Sequence, residues 1–194
     1  GFVFRSPVAH AEIAMLDVDA ARAMPGVHLV LTCDDLEEAG IDIAMPAALV
    51  QNRDGSTPPA VVRPFLAKDR VRFVGEPIAM VFAETLDQAK DAAEAIEFDF
   101  EELEPHLSVT PGGPAIHAET PENVAFDWGA GDEEGTTRAF EAAAHVIRLV
   151  VSDNRIIVNS LEPRGCSGEL EDGRLHVAVN GPGGWGRTAN LVRR

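Results

Sequence analysis

Three short stretches hold side chains that could do chemistry. Residues 181–186 (GPGGWG) are glycine-rich and follow a strand-like run, which lets backbone amides approach an anionic group closely. A flexible bend is the other reading, because the letters are neither GxGxxG opening a helix nor GxxxxGK[ST]. Residues 162–165 (EPRG) set a carboxylate and a guanidinium two positions apart. They can pair with each other, brace a loop, or offer a fixed fork to a carboxylate or phosphate. Between 84 and 104 stand nine acids: Glu84, Asp87, Asp91, Glu94, Glu97, Asp99, Glu101, Glu102 and Glu104, with Lys90 the only base. Paired carboxylates suit metal binding or acid/base work, yet most of these lie opposite an apolar stripe or along the wet face of a strand. They read as a solvated face.

The remaining reactive residues are dispersed. His10, His28, His106, His117, His145 and His176 form no HExxH and no short ligand pair, so each reads as a surface or core histidine. No serine sits in GxSxG. Cys33 and Cys166 are the two cysteines, and neither belongs to a CxxC. Two thiolates cannot hold an iron–sulphur cluster or a four-cysteine zinc, and both read as buried free thiols of a cytoplasmic protein. No catalytic and no metal-ligating residue is therefore assigned.

The charge sharpens the exclusions. With 32 acidic and 16 basic side chains the formal net charge is −16 over 194 residues. A phosphate backbone is bound by a basic face, so nucleic acid is not expected as a partner. The charge serves solubility, or an acidic docking face for another subunit. No run of eighteen apolar residues is present, so no membrane-spanning segment is expected. The opening residues lack the basic-then-apolar pattern of a signal peptide, and without an initial Met further residues upstream are expected.

The elements that position these residues follow from periodicity. Strands are predicted over 10–16 and 27–31, the latter (VHLVL) buried, with a short helix over 20–24 between them stopped by Pro25–Gly26. Thr32 with Asp35 resembles a capping box for a helix ending near Gly40. Residues 51–59 (QNRDGSTPP) read as a surface loop, an insertion or mobile flap. Over 69–74 (DRVRFV), Val71 and Phe73 alternate with Arg70 and Arg72; 78–83 (IAMVFA) is a continuous apolar strand. Thr85 and Gln88 form a capping box, Leu86, Ala89, Ala93 and Ile96 a helical stripe, and 96–100 (IEFDF) a strand with Ile96, Phe98 and Phe100 inward. The strand–strand–helix–strand order puts that helix on one sheet face. Proline and glycine between 105 and 121 place a domain boundary near 108. Beyond it, a helix is expected over 137–143, strands over 145–151 and 155–159, and a hairpin of 166–170 and 174–179 around Asp172–Gly173. The fold class is α+β, and the second unit is a sheet left open at Arg193–Arg194, which needs more chain or a partner.

In order along the chain, the motifs resemble a known family. RSPVAHAEI (5–13), the stretch PGV to VLT followed by Asp35–Leu36, and LAKDRVRFVGEPIAMVFAET (66–85) with AKDAAEAIEFDFEELEP (89–105) are the first three. NVAFDWG (123–129) with Gly131–Asp132, and Asn159 with Glu162–Pro163–Arg164, complete the series. Together they are similar to the molybdopterin-binding large subunit of the xanthine dehydrogenase, aldehyde oxidase and aerobic carbon monoxide dehydrogenase family. The resemblance implies an α/β hammerhead domain over 1–108. It implies that 109–194 is the sheet-rich start of the first molybdenum-cofactor-binding domain.

The resemblance also implies a reaction class. Family members hydroxylate at a molybdenum–pyranopterin centre with oxygen from water, and Fe–S clusters and FAD on partner subunits carry the electrons away. Expected partners are the remainder of the molybdopterin-binding subunit, an Fe–S subunit and an FAD subunit; this chain alone is expected to be inactive and to bind no cofactor by itself. The family's late catalytic glutamate falls beyond residue 194. Where the family often carries a glutamine near the molybdenum, this chain has Asn180 followed by Gly181, so these two are the candidate cofactor-binding residues. Neither cysteine stands where a carbon monoxide dehydrogenase places its copper-binding loop. The alternative is a non-catalytic interaction or scaffold protein that retains the hammerhead fold.

Overall fold

The computed structural model describes residues 1–44, 50–153 and 161–181. The chain divides into two units, 1–131 and 132–194. The first contains β1 (Phe2–Arg5), β2 (Ala11–Asp17), α1 (Asp19–Arg22), β3 (Val27–Leu31), α2 (Cys33–Glu38), β4 (Arg70–Val71), β5 (Pro77–Ala83), α3 (Leu86–Glu94) and β6 (Glu97–Glu102). The second contains α4 (Glu133–Ala142), β7 (Cys166–Glu171) and β8 (Arg174–Val179). Every ladder among these strands is antiparallel, and helices and sheets are segregated as in an α+β fold.

β5 organises the first unit because its apolar run can be buried on both faces. It is the centre of a β1–β5–β3 sheet, and Ile78, Ala79 and Val81 have no exposed surface. Ala79 and Val81 join Ala89, Ala92 and Ala93 of α3 and Ala21 of α1 in one core. Ile78 points the other way, into a second core with Ala11, Ala67 and Val71, which ties in the β4–β2–β6 sheet. Alternate residues of a strand leave opposite faces, so one seven-residue strand serves two cores. Phe4, Phe98 and Phe100 line the second core, with Phe4 and Phe98 edge-to-face at 5.9 Å.

Local chemistry sets the helix ends. Both capping boxes are present: Thr32 with Asp35 at α2, and Thr85 with Gln88 at α3. At the end of α2, Gly40 adopts φ +71 and its N–H donates to Glu37 O, while the Ile41 N–H donates to Leu36 O. That pair of bonds is a Schellman ending, which glycine permits without a Cβ clash.

Several expectations change. β3 is an edge strand, so of its five residues only Val30 is buried. α3 packs on one face of the β1–β5–β3 sheet, as expected, but β6 then joins the other sheet, so the helix links two sheets. Leu86 is the first residue of α3 and is exposed; Ala92 takes its place in the stripe. The alternation over 69–74 stops at Val71, because Glu76 N–H turns back to Phe73 O and Gly75 N–H donates to Ser6 O. That turn exposes Phe73, over which the Arg63 guanidinium sits at 5.8 Å.

The loop at 51–59 is anchored. The Arg53 guanidinium makes a two-point ion pair with Asp127 at 2.9 and 3.0 Å, the Arg53 N–H donates to Asp127 O, and Asn52 Oδ1 accepts from Asp127 N. These bonds hold part of 109–131 within the first unit.

In the second unit α4 starts at Glu133, earlier than periodicity suggests, because Asp132 caps it by accepting from Gly135 N at 2.7 Å. Residues 145–151 form no ladder: the residues are exposed and no described strand lies beside them. The predicted strand over 155–159 and most of 181–186 lie outside the described residues. The hairpin is present, with Glu171 opposite Arg174 and a two-residue turn in which Asp172 (φ 50) and Gly173 (φ 74) are both left-handed. That is the type I′ geometry which matches strand twist.

Candidate functional site

The two candidate residues sit where β8 ends. Asn180 is a clasp. Its Oδ1 accepts from Gly165 N at 2.7 Å, and its Nδ2 donates to Pro163 O at 2.8 Å and to Glu162 Oε1 at 3.3 Å. The Asn180 N–H donates to Gly165 O at 3.3 Å. One amide therefore fastens the loop 162–165 to the base of the β7–β8 hairpin. This is the loop-bracing role left open for the EPRG stretch, and the Glu162 carboxylate faces Asn180. Gly181 follows with φ +133, a conformation that favours glycine.

Both Asn180 amide hydrogens are engaged, and one lone pair of Oδ1 is left for another donor. Residues 161–165 and Gly181 are exposed and Asn180 half-buried, so these residues make no enclosed cavity. A pyranopterin cofactor needs an enclosing set of donors and acceptors. The described residues by themselves do not fit such a group.

The hairpin itself is two-faced. Its register places Cys166 with Val179, Gly168 with Val177 and Leu170 with Leu175 on one side, and Ser167 with Ala178, Glu169 with His176 and Glu171 with Arg174 on the other. Leu170 is 74% exposed and Leu175 67%, so a whole apolar face lacks cover among the described residues. A two-stranded hairpin is marginal in water without such cover. Cys166 lies on this face, exposed and free, against the expectation of burial; only Cys33 is a buried thiol. Burial pushes the Cys33 thiol up, aided by Glu37, away from the reactive thiolate.

The other candidates do not assemble. Among the described residues no three His, Cys, Asp or Glu side chains are grouped to hold a metal. All nine acids of 84–104 are exposed, as a solvated face requires. An open polar groove of about 640 Å³ runs between the end of β2 and α2, and both of its cations, Arg22 and Lys68, are already paired. Arg22 holds Asp35 at 2.7 Å, and Lys68 bonds Asp34 at 3.0 Å and Glu37. The Lys68 ammonium is held well above its ordinary range by hydrogen bonds to Glu37 and Asp34, so it is no base. Sequence patterns missed the Asn180 clasp because its partners lie fifteen to eighteen positions away.

No helix among the described residues is long and apolar enough to cross a membrane. The family model described as "Aldehyde oxidase and xanthine dehydrogenase, a/b hammerhead domain" matches residues 1–104. Nicotine 6-hydroxylase large subunit of Paenarthrobacter nicotinovorans is 38% identical over 184 residues, covering 91% of this chain and 21% of that protein. Nicotinate dehydrogenase large molybdopterin subunit of Eubacterium barkeri is 33% identical over 185 residues, 92% of this chain and 39% of that one. A crystal structure of the Cu,Mo-CO dehydrogenase aligns with 92% of this chain and 23% of its own, at a TM-score of 0.71 and 28% identity. The chain thus spans between a fifth and two fifths of the relatives it matches. It belongs to the aldehyde oxidase and xanthine dehydrogenase family, and its first 104 residues are that family's a/b hammerhead domain.

Proposed function

We propose that this chain is a component or fragment of the molybdopterin-binding large subunit of a molybdenum hydroxylase, an aldehyde, N-heterocycle or carbon monoxide dehydrogenase-like oxidoreductase. The hammerhead extends to about residue 108, and 109–194 opens the first cofactor-binding domain. The complete assembly supplies the molybdenum–pyranopterin centre, takes product oxygen from water, and passes electrons to Fe–S and FAD subunits. Asn180 and Gly181 lie on the cofactor side, Asn180 by holding the 162–165 loop and Gly181 by leaving the backbone approachable. The apolar face of the β7–β8 hairpin, uncovered among the described residues, carries this reading. A stable domain buries such a face, and the relatives, of which this chain spans 21% and 39%, have further chain that could do so.

Native mass spectrometry of the protein from its own cells, with metal analysis of the same peak, tests the proposal. The expected result is co-migration with larger polypeptides and molybdenum. A metal-free peak at one chain's mass per protomer would overturn it in favour of a non-catalytic scaffold that keeps the hammerhead fold.

A further inference from the structure

β2 is paired unevenly. Along one side it pairs with β6 from Ala11 to Asp17. Along the other it pairs with β4 only at Ala11 and Glu12, and the Ile13 N–H donates to Asp69 O at 2.9 Å. β4 is short for reasons found at both of its ends. Upstream, Lys68 is drawn to Asp34 and Glu37 of α2, and the Ala67 N–H donates to Pro77 O at the start of β5, so the chain leaves the line of β2. Downstream, the Arg72 N–H donates to the Glu76 carboxylate and the chain turns. Continued at its own register, β4 would set residues 65–68 opposite 14–17. With 65–68 turned away, Ala14–Asp17 has no strand on its second side among the described residues. Ile13 through Asp17 line the open groove between β2 and α2 instead.

The free backbone groups of that edge follow from the register. The Leu103 N–H donates to His10 O, and the Ile13 N–H faces β4, so His10 and Glu12 are bonded to β6 while Ala11 and Ile13 look the other way. On β6 the positions bonded to β2 are then alternate residues: Leu103, Glu101, Asp99 and Glu97. The register slips by one between Ile13 and Met15, which sets Leu16 opposite Phe98, between two of those positions. The Leu16 N–H and C=O therefore point away from β6 and into the groove. The extra residue brings Ala14 and Met15 together on the exposed side, with Ile13 and Leu16 half-buried on the inner one.

We propose that the edge Ala14–Asp17 is a docking slot for an extended, lysine- or arginine-rich segment of another polypeptide, which adds beside β2 as a strand in line with β4. An unpaired strand edge is a template for such addition, and charge selects the occupant. Five acids, Asp17, Asp19, Asp34, Asp35 and Glu38, line the groove against two bases. Both bases are already held: Arg22 by Asp35 and Asp19, Lys68 by Asp34 and Glu37. Asp17 and Glu38 make no ion pair among the described residues. The same field repels a second copy of a chain whose net charge is −16. In the docked strand the backbone meets Leu16 N–H and C=O, and four residues cover about 13 Å of edge. Successive side chains leave opposite faces, so basic residues on the exposed side approach Asp17 and apolar ones lie beside Ile13 and Leu16.

NMR of the isotope-labelled 194-residue chain tests this. The probe is a synthetic peptide of alternating lysine and valine, blocked at both ends, at neutral pH and low salt. It is expected to shift the Leu16 amide and slow its hydrogen exchange several-fold at saturation, while Val81 in the central strand β5 stays unchanged. A fully N-methylated form of the peptide keeps the ammonium groups and loses the backbone donors, so it should bind about tenfold more weakly or worse. A peptide of alternating glutamate and valine should leave Leu16 unmoved. Asp17→Asn and Glu38→Gln should each weaken the lysine peptide by about two- to fivefold. Equal affinity for the N-methylated form overturns the proposal, because the attraction would then be charge alone. Equal binding of the glutamate peptide, unchanged affinity in both variants, or a response in the acids of 84–104 with none at Leu16 also overturns it. Leu16 protection that grows with the chain's own concentration would give the slot to a second copy. Full protection in the dilute chain alone would mean that the slot is filled from within, and either result overturns the basic partner.

Discussion

The first 131 residues and the described part of the remainder share an alternation of apolar and polar side chains, yet they treat it differently. Among the described residues of the first unit thirteen buried apolar residues, from Ala11 to Ile96, make up cores built on both faces of β5. In the second, β7 and β8 carry as regular a pattern, and no apolar residue among those described is buried. A two-faced strand states which side should be covered; it does not supply the cover. The difference teaches that the hammerhead contains its own folding partners, whereas the described later residues are patterned for a cover that none of them supplies.

The largest way to break this comparison is to truncate one side chain on each side of it. Ile78→Ala should lower stability by about 2–5 kcal/mol in denaturant unfolding, through lost burial plus a residual cavity. Leu175→Ala in the same chain should stay within about 0.5 kcal/mol, as at an exposed site. A Leu175→Ala cost equal to that of Ile78→Ala would mean that the second unit has a core of its own. Thr85→Ala comes next: losing the capping box of α3 should cost about 1 kcal/mol in the same unfolding transition.

Asn180→Ala sharpens the other side. It removes three side-chain hydrogen bonds to 162–165, so the Gly165 amide should exchange faster by NMR while the unfolding midpoint of the first unit stays unchanged. A shifted midpoint would couple the clasp to the hammerhead core. The smallest effect is expected at Glu76. Burial pushes its carboxyl up, so the folded state binds the proton more tightly than the unfolded chain does. Its contribution is most favourable below the ordinary glutamate value and declines as pH rises through the raised one. Glu76→Gln keeps an acceptor for Arg72 N–H and removes the buried charge. It should raise the thermal midpoint slightly at about pH 7, with the gain vanishing below about pH 4.3, where the carboxyl is neutral in both states. A gain that persists at low pH would assign the effect to packing.

Local chemistry was legible from letters alone. The pairs Thr32–Asp35 and Thr85–Gln88 cap helices because a hydroxyl and a carboxyl or amide three positions on must meet there. Asp172–Gly173 makes the hairpin because only such residues readily take two left-handed conformations in a row. The apolar run at 78–83 announced a strand, and the ordered motifs announced the family; that the strand serves cores on both of its faces came from the structure. Contacts between distant residues were not legible. Whether Val27–Leu31 is central or at an edge depends on which strands find it, and nothing within those five residues says so. Leu86 keeps helical spacing but lies at the end of its helix, past the sheet that would bury it. Residues 145–151 have the composition of a strand and no ladder, because a strand exists only with a neighbour to accept its hydrogen bonds. The Asn180 amide looked available for a cofactor and is engaged by 162–165. Short-range preferences belong to the sequence; burial, pairing and the use of each polar group belong to tertiary structure, because solvent exclusion and hydrogen bonding act across space rather than along the chain.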